Sequence, residues 1–242
     1  IQNMLADYGD GSGVTAIDVA GSTRVTITGN TIGHATLVNS LQSDGGSTSL
    51  SVASGWVYGV YSATSSPISI TNNTIAGLAS VGIYNSYVNI IEHVGSGAAT
   101  ITGNTMGRTY SSGSSTGYNT KGIVVTSNAT GHNISNNTLT FIGNGSSGAI
   151  SGPTADVIQV TSTGGGVIAN NTIDGLFNAG NGGYSVGIWM NGSGTWTVSN
   201  NMLNLLNYNW LGTYTTRKEF YGILDYTTGG SVKYYYNTVL VQ

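Results

Sequence analysis

The sequence contains no cysteine and only 2 prolines among its 242 residues. The absence of cysteine excludes disulfides and thiol chemistry, although it does not fix the cellular compartment. Only 6 residues are Lys or Arg and 9 are Asp or Glu, which gives a net charge of −3. This weak charge provides no electrostatic basis for binding nucleic acid or an anionic membrane surface.

The sequence also has no apolar run close to the roughly 20 residues that a membrane-spanning helix needs. No signal peptide is visible, and the first residue is Ile1, which indicates a mature or internal piece of a protein. In contrast, 39% of the residues are hydrophobic and 38 are glycine. A chain with this much apolar content can bury a core, so we expect a folded protein without membrane insertion.

The most regular feature is a recurring Asn-Thr step, with an apolar residue three positions before the Asn and another two positions after it. Such a repeat predicts stacked structural units. One step has Met in place of Thr, and the first is recognised because "QNML" parallels "NNML". The eight asparagines are Asn3, Asn30, Asn73, Asn104, Asn137, Asn171, Asn201 and Asn237.

A second apolar position, often preceded by Gly, lies upstream of each step after the first. We take it to be Ile17, Val60, Ile83, Ile123, Ile158, Ile188 and Ile223. The distance from this anchor to the following Asn is 13 or 14 residues, except for 21 after Ile83, whereas the distance from each Asn to the next anchor varies widely. This pattern predicts a solenoid with one variable loop in each coil. The period-two alternation in "TRVTITGN" indicates strands, which pair in parallel between coils.

The stretches "SITNNTIAG", "ISNNTLTFIG" and "YYYNTVLV" resemble the right-handed, single-stranded parallel β-helix of the pectate-lyase-like superfold. The resemblance implies an all-β solenoid of about seven coils, in which the asparagines form a ladder at a two-residue turn. Asn tolerates the left-handed backbone of such a turn. The same stretches are similar to low-charge β-helix regions of large secreted bacterial surface proteins, which implies an extracellular stalk, adhesin or filament.

The carboxylates give little support for catalysis. When the coils are aligned on the anchor, one outward column reads Asp18, Tyr61, Tyr84, Val124, Gln159, Trp189 and Leu224. Only one member is a carboxylate, and acid/base chemistry needs several titratable groups in one place. Glu219 and Asp225 are the one local pair, and no arginine matches the catalytic arginine of the resembling lyases. We therefore lean towards a non-enzyme, with Glu219 and Asp225 as weak catalytic candidates.

Metal sites are supported just as weakly. Asp7 and Asp10 in "DYGDGSG" are weak candidates, because this segment lacks the distal Glu of a calcium loop. His34, His93 and His132 fall in different coils, so we expect surface or turn histidines. We expect no cofactor. Lys121 and Asp156 both lie two residues before the anchor, in neighbouring coils. We therefore expect them to face each other across the sheet at an exposed site and to interact weakly.

Aromatic residues are the richer signal. Trp56, Tyr61, Tyr84 and Trp189 are our candidate ligand-binding residues, since exposed rings beside amides suit sugars. We place Trp56 and Tyr58 in the variable loops. The alternative is that these rings form a packing ladder with no ligand.

Three hypotheses follow for the function. The first is a non-enzymatic structural or adhesive module at the cell surface, with glycans as possible ligands. The second is a polysaccharide-active lyase or glycoside hydrolase. The third and weakest is an ice-binding face, suggested by rows such as Thr26/Thr28 and Thr100/Thr102.

We expect residues 1–242 to form a single domain that is a fragment of a longer chain or a stacking subunit. Neither end of the sequence offers a helix or a charged segment that would cover the end of a solenoid. The expected partners are therefore further β-helix coils or copies of the chain stacked end to end.

Overall fold

The computed structural model describes residues 1, 4–7, 12–37, 40–44, 55–81, 86–112, 119–144, 153–178, 184–205 and 219–241. Within these ranges the chain forms strands that pair in parallel and stack as a β-solenoid. The predicted all-β solenoid class is confirmed. No helix in the described part of the chain is long and apolar enough to cross a membrane.

Each coil contributes to three parallel sheets in turn. Sheet 1 consists of β2 (Ser12–Val19), β6 (Gly55–Ser62), β10 (Ser86–His93), β13 (Asn119–Val125), β16 (Pro153–Val160), β19 (Tyr184–Met190) and β22 (Glu219–Asp225). Sheet 2 consists of β3 (Val25–Thr28), β7 (Ile68–Thr71), β11 (Ala99–Thr102), β14 (Thr130–Ser135), β17 (Gly165–Ala169), β20 (Thr195–Ser199) and β23 (Ser231–Tyr235).

Sheet 3 has ten strands and completes the coil. They are β1 (Met4–Asp7), β4 (Thr31–Gly33), β5 (Leu41–Asp44), β8 (Thr74–Ala76), β9 (Leu78–Val81), β12 (Thr105–Ser112), β15 (Thr138–Asn144), β18 (Thr172–Asn178), β21 (Met202–Leu205) and β24 (Thr238–Val241). The segments of variable length predicted from the sequence all connect sheet 3 to sheet 1 of the next coil.

The core is built from columns of aligned apolar residues, as the repeat predicts. The residues three before each ladder Asn pair with one another in sheet 2, and those two after it pair in sheet 3. Ile70, Ile101 and Ile134 have no exposed surface at all. In the last coil the same positions are open, since Tyr234 is 39% exposed and Val239 is 43% exposed.

The turn between sheets 2 and 3 uses two residues with separate roles. The residue immediately before each ladder Asn has a left-handed backbone, with φ between 51° and 67°. These residues are Gly29, Asn72, Gly103, Asn136, Asn170, Asn200 and Tyr236. The predicted left-handed turn residue is thus the one that precedes the ladder Asn. Asn and Gly are the residue types that tolerate it best, which explains the recurring Asn-Asn and Gly-Asn pairs.

The second residue of the pair forms the ladder. Asn137 Nδ2 donates hydrogen bonds to Asn171 Oδ1 at 3.0 Å and to the Ile101 carbonyl at 2.9 Å. Asn137 Oδ1 accepts the main-chain N–H and the Nδ2 of Asn104, both at 3.0 Å. The side-chain contacts repeat without a break from Asn30 to Asn237, so the predicted ladder is confirmed for seven of its eight asparagines.

The eighth predicted ladder position is not supported by the register. Met4 pairs with Leu41 instead of Thr31. The Ile1 amino group donates to the Thr31 carbonyl at 2.9 Å and its carbonyl accepts from Gly33 N–H at 2.7 Å. Ile1 thus lies opposite Ile32, where the repeat places Leu5. The alignment of "QNML" with "NNML" is wrong, and Asn3 itself lies outside the described residues.

Two histidines belong to the core, contrary to the expectation of surface positions. His93 is 0% exposed and its Nε2 lies 2.8 Å from the Gly97 carbonyl oxygen. His132 is 1% exposed, its Nδ1 accepts the Ala99 N–H at 3.0 Å, and its ring stacks on Trp196 with centroids 5.8 Å apart. Burial lowers the pKa of both imidazoles, which are therefore neutral in the folded protein.

Tyr236 is the one member of the left-handed column that is neither Asn nor Gly. A left-handed backbone costs roughly 1–2 kcal/mol for a residue with a bulky side chain, and the Tyr236 ring is 87% exposed, so little packing offsets it. We expect Tyr236→Asn to stabilise the last coil by about 0.5–1 kcal/mol. Urea denaturation and hydrogen exchange at Asn237 would measure the gain.

The neighbouring Tyr235 provides the matched control for this substitution. Its side chain is 47% exposed and its backbone is not left-handed. Tyr235→Asn should give no gain, because it removes a ring from a strand without relieving strain. Equal effects of the two substitutions would contradict the assignment of strain to Tyr236.

Candidate ligand-binding face

The outward side of sheet 1 carries the candidate site. Side chains normally alternate between inward and outward along a strand, but in sheet 1 the anchor and the residue before it both point inward. The outward positions are therefore the residue two before the anchor and the residue one after it. Along β6 these side chains are Tyr58 and Tyr61, whose ring centroids are 5.2 Å apart. Along β10 they are Asn89 and Glu92, where Nδ2 donates to Oε2 at 2.7 Å.

Four half-buried rings form one continuous surface, which we call the aromatic cluster: Trp56, Tyr58, Tyr61 and Tyr87. Trp56 and Tyr87, which are paired in register, are nearly parallel with centroids 6.5 Å apart. Tyr58 meets Tyr87 edge-on at 6.0 Å. The cluster lies on strands β6 and β10, and the placement of Trp56 and Tyr58 in loops is therefore wrong.

Polar groups adjoin the aromatic cluster on both sides. Glu92 and Asp18 flank Tyr61 in one column, since Asp18 pairs with Tyr61 and Tyr61 pairs with Glu92. Burial and the negative charge of Glu92 raise the pKa of the Tyr58 phenol, which therefore remains protonated. Burial, together with the charges of Glu92 and Asp18, also raises the pKa of Tyr61.

One buried amide oxygen beside the cluster has no partner. Asn89 is 7% exposed, and its Oδ1 accepts no hydrogen bond although its Nδ2 binds Glu92. An unpaired buried acceptor costs about 1–3 kcal/mol. The oxygen has essentially no accessible surface in this structure, so a donor from a ligand would reach it only after a covering side chain moves.

The predicted ligand-binding residues are only partly brought together. Trp56 and Tyr61 belong to the aromatic cluster, and Trp189 lies in the same column as Tyr61 but four strands further along, about 19 Å away at normal strand spacing. The position assigned to Tyr84 belongs to Glu92. Tyr84 itself lies outside the described residues.

The error at Tyr84 has a specific origin. The true anchor of the third coil is Ile91, which pairs with Val60 and with Ile123, and Ile83 is not the anchor. Ile91 stands 13 residues before Asn104, which restores the constant spacing found in the other coils. The irregular distance after Ile83 was the signal that would have revealed Glu92, Asn89 and Tyr87.

Lys121 and Asp156 are aligned across the sheet as predicted, but their environment differs from the prediction. Asp156 is 1% exposed, and neither carboxylate oxygen has a hydrogen-bond partner. Burial raises the pKa of Asp156 to about 7, and the charge of Lys121 offsets only part of this effect. The prediction of an exposed, weakly interacting pair is therefore wrong for Asp156.

Glu219 and Asp225 do not form a catalytic pair. They lie six residues apart on strand β22, which corresponds to about 20 Å along an extended chain. The carboxyls of glycosidases lie roughly 5–9.5 Å apart. Asp225 instead accepts hydrogen bonds from Thr227 N–H at 2.8 Å and from the Tyr234 hydroxyl at 2.7 Å, which is a turn-stabilising arrangement.

The remaining candidates have no supporting geometry. Within the described ranges, no group of three or more His, Cys, Asp or Glu side chains could hold a metal ion. Of the two weak metal candidates, Asp10 lies outside those ranges and the side chain of Asp7 is not described. The Thr/Ser rows lie on the outward side of sheet 2, where Thr71 Oγ1 donates to Thr28 Oγ1 at 3.1 Å, and Val167 and Ala169 interrupt them.

Comparisons with protein-family models, with curated proteins and with solved structures gave no match. The outer face of sheet 1 is the surface of the described residues whose geometry best suits a ligand. Its distinguishing features are the aromatic cluster, the two flanking carboxylates and the unpaired oxygen of Asn89.

Proposed function

We propose that this chain is a non-enzymatic extracellular β-helix module that binds glycans through the outer face of sheet 1. The aromatic cluster is the observation that carries the proposal. Half-buried rings offer flat apolar surfaces to sugar rings, while the carboxylates of Glu92 and Asp18 offer acceptors for hydroxyl groups. In a chain with only 15 charged residues, this concentration of aromatic and acidic groups is a local feature.

The proposed setting is a bacterial surface protein or filament. Its support is the low charge, the stacked coils and the resemblance to the pectate-lyase-like superfold, with export out of the cell as part of the same proposal. The open core positions of the last coil, including Tyr234 and Val239, fit a partner that continues the stack, either further coils or a second copy of the chain. An ice-binding role for the rows on sheet 2 is the weakest alternative.

A polysaccharide-active enzyme is the second candidate, and one observation favours it. Asp18 and Glu92 are two strands apart in one column, about 10 Å at strand spacing, close to the upper limit for the carboxyls of inverting glycosidases. Tyr61 stands between them, and the residues aligned beside the three in the other outward column are Thr15, Tyr58 and Asn89, none of which is a carboxylate or a base. We therefore favour binding over turnover.

Loss of the ring of Tyr61 tests the proposal. Calorimetric titration with soluble oligosaccharides chosen from a glycan array should show Tyr61→Ala and Trp56→Ala binding about tenfold more weakly than the parent protein, because stacking area is lost. Tyr235→Ala, which removes an exposed ring from sheet 2, is the matched control and should bind normally.

The same titrations distinguish binding from catalysis. We expect the oligosaccharides, including pectin and alginate fragments, to be recovered intact after prolonged incubation. Shortened or unsaturated products that disappear in Glu92→Gln would establish the enzyme instead. Unchanged binding by Tyr61→Ala and Trp56→Ala would remove the aromatic cluster as the site.

A further inference from the structure

The charges around Tyr61 restrict the kind of glycan that fits the aromatic cluster. Asp18 and Glu92 occupy the positions directly before and after Tyr61 in the outward column of sheet 1. These are two of only nine acidic residues in the chain. Asp18 is exposed and Glu92 is half-buried, so both carboxylates can reach a ligand that covers the Tyr61 ring.

The basic residue that faces the same surface stands further away. Lys121 is aligned with Asn89 in the other outward column, one coil beyond Glu92 and two beyond Tyr61. Asp156 follows Lys121 in that column. On the Tyr61 side of the face, the described outward groups are therefore acids, aromatic rings and the neutral side chains of Thr15 and Asn89, with no base among them.

A second observation is an unpaired polar atom that lies beneath this surface. Asn89 Oδ1 is buried and accepts no hydrogen bond, although Asn89 lies between Tyr58 and Lys121 in its column. The Nδ2 of the same amide is held by Glu92, which fixes the oxygen in place. A ligand with an N–H or O–H group could satisfy it only if a side chain that covers this oxygen moved aside.

Resting on the proposed glycan-binding function, we propose that the face made by Asp18, Tyr61 and Glu92 binds a cationic amino-sugar polymer, with a protonated amine above the Tyr61 ring. An ammonium group is attracted by the face of an aromatic ring and by adjacent carboxylates. It also has three N–H donors, which can bond to the two carboxylates and to the phenol oxygen of Tyr61. Uronic acid polymers are disfavoured, because they would place a carboxylate between Asp18 and Glu92.

The test uses a matched pair of ligands. Oligomers of β-linked glucosamine and of N-acetylglucosamine of equal length have the same backbone, but only the former carries positive charge. At pH 5.5, where the amines are protonated, and at low ionic strength, calorimetric titration should give about tenfold tighter binding of the glucosamine oligomer. The preference should decrease as salt is added, because salt screens exposed charges.

Charge-removing variants connect this preference to the two acids. In the double variant Asp18→Asn, Glu92→Gln the ratio of the two affinities should fall to about one. Glu219→Gln, which removes an exposed acid from the last strand of the same sheet, is the matched control and should retain the tenfold ratio. Circular dichroism of each variant establishes that the solenoid is folded.

The outcomes separate this inference from the proposed function. Equal affinity of the parent protein for the two oligomers, or a preference that survives in the double variant, would overturn the amino-sugar assignment while glycan binding stands. Tighter binding of a uronic acid oligomer would also overturn it. Failure of both oligomers and of every array glycan to bind would overturn the proposed function together with this inference.

Discussion

Asn137→Ala is expected to destabilise the protein by about 3–5 kcal/mol. The substitution removes four hydrogen bonds at a position that is 1% exposed. The main-chain N–H of Asn104 and the carbonyl of Ile101 are left without these side-chain partners in a site where water does not replace them. Urea denaturation followed by circular dichroism measures the loss.

The preceding residue supplies the control for the ladder experiment. Asn136 is exposed and has φ of 56°, so its side chain serves the turn and takes no part in the ladder. Asn136→Gly should cost only a few tenths of a kcal/mol, because Gly accepts the same backbone conformation. A loss for Asn136→Gly within 1 kcal/mol of that for Asn137→Ala would refute the division of roles within the Asn-Asn pair.

Asp156→Asn is expected to stabilise the protein by about 3–4 kcal/mol at pH 8 and to have little effect near pH 4. The folded-state pKa of about 7 lies above the ordinary value of 3.8. The folded protein therefore holds this proton more tightly than the unfolded chain does. Stability from the neutral carboxyl is complete below about pH 4 and is lost as the pH rises towards 7, with no further change above that.

Stability measured against pH for both proteins tests this prediction. His93 and His132 also titrate, and their lowered pKa values make stability fall as the pH drops below about 6.5. This contribution is common to both proteins and cancels in the difference between them. Asp18→Asn, at an exposed carboxyl, should show no comparable gain. A pH-independent difference between Asp156→Asn and the parent would refute the buried carboxyl as its source.

The repeat made much of the fold predictable from the sequence. Each coil repeats the same local pattern around Asn-Thr, so neighbouring coils support one another's alignment at the ladder. The columns of Ile70, Ile101 and Ile134 and the ladder from Asn30 to Asn237 followed from this agreement. The first coil lacked this support from neighbours, because Ile1 and Met4 have no earlier coil to compare with. The predicted register of the first coil was therefore wrong.

The site was less predictable than the fold, for two physical reasons. The coil that contains Glu92 offers both Ile83 and Ile91 as apolar anchors, and only the pairing of β10 with β6 and β13 decides between them. The burial of Asp156 depends on what surrounds a sheet face in three dimensions, while its sequence neighbours make it an ordinary strand residue. Side-chain environment is set by tertiary packing, which local periodicity does not encode.

The segments of variable length all join sheet 3 to sheet 1, whereas the ladder turn joins sheet 2 to sheet 3. Length changes in these segments therefore leave the spacing between anchor and ladder untouched. Duplication, insertion and exchange of segments can alter what borders the sheet 1 face while the asparagine contacts stay in register. The architecture thereby allows the border of the sheet 1 face to change coil by coil without disturbing the scaffold that supports it.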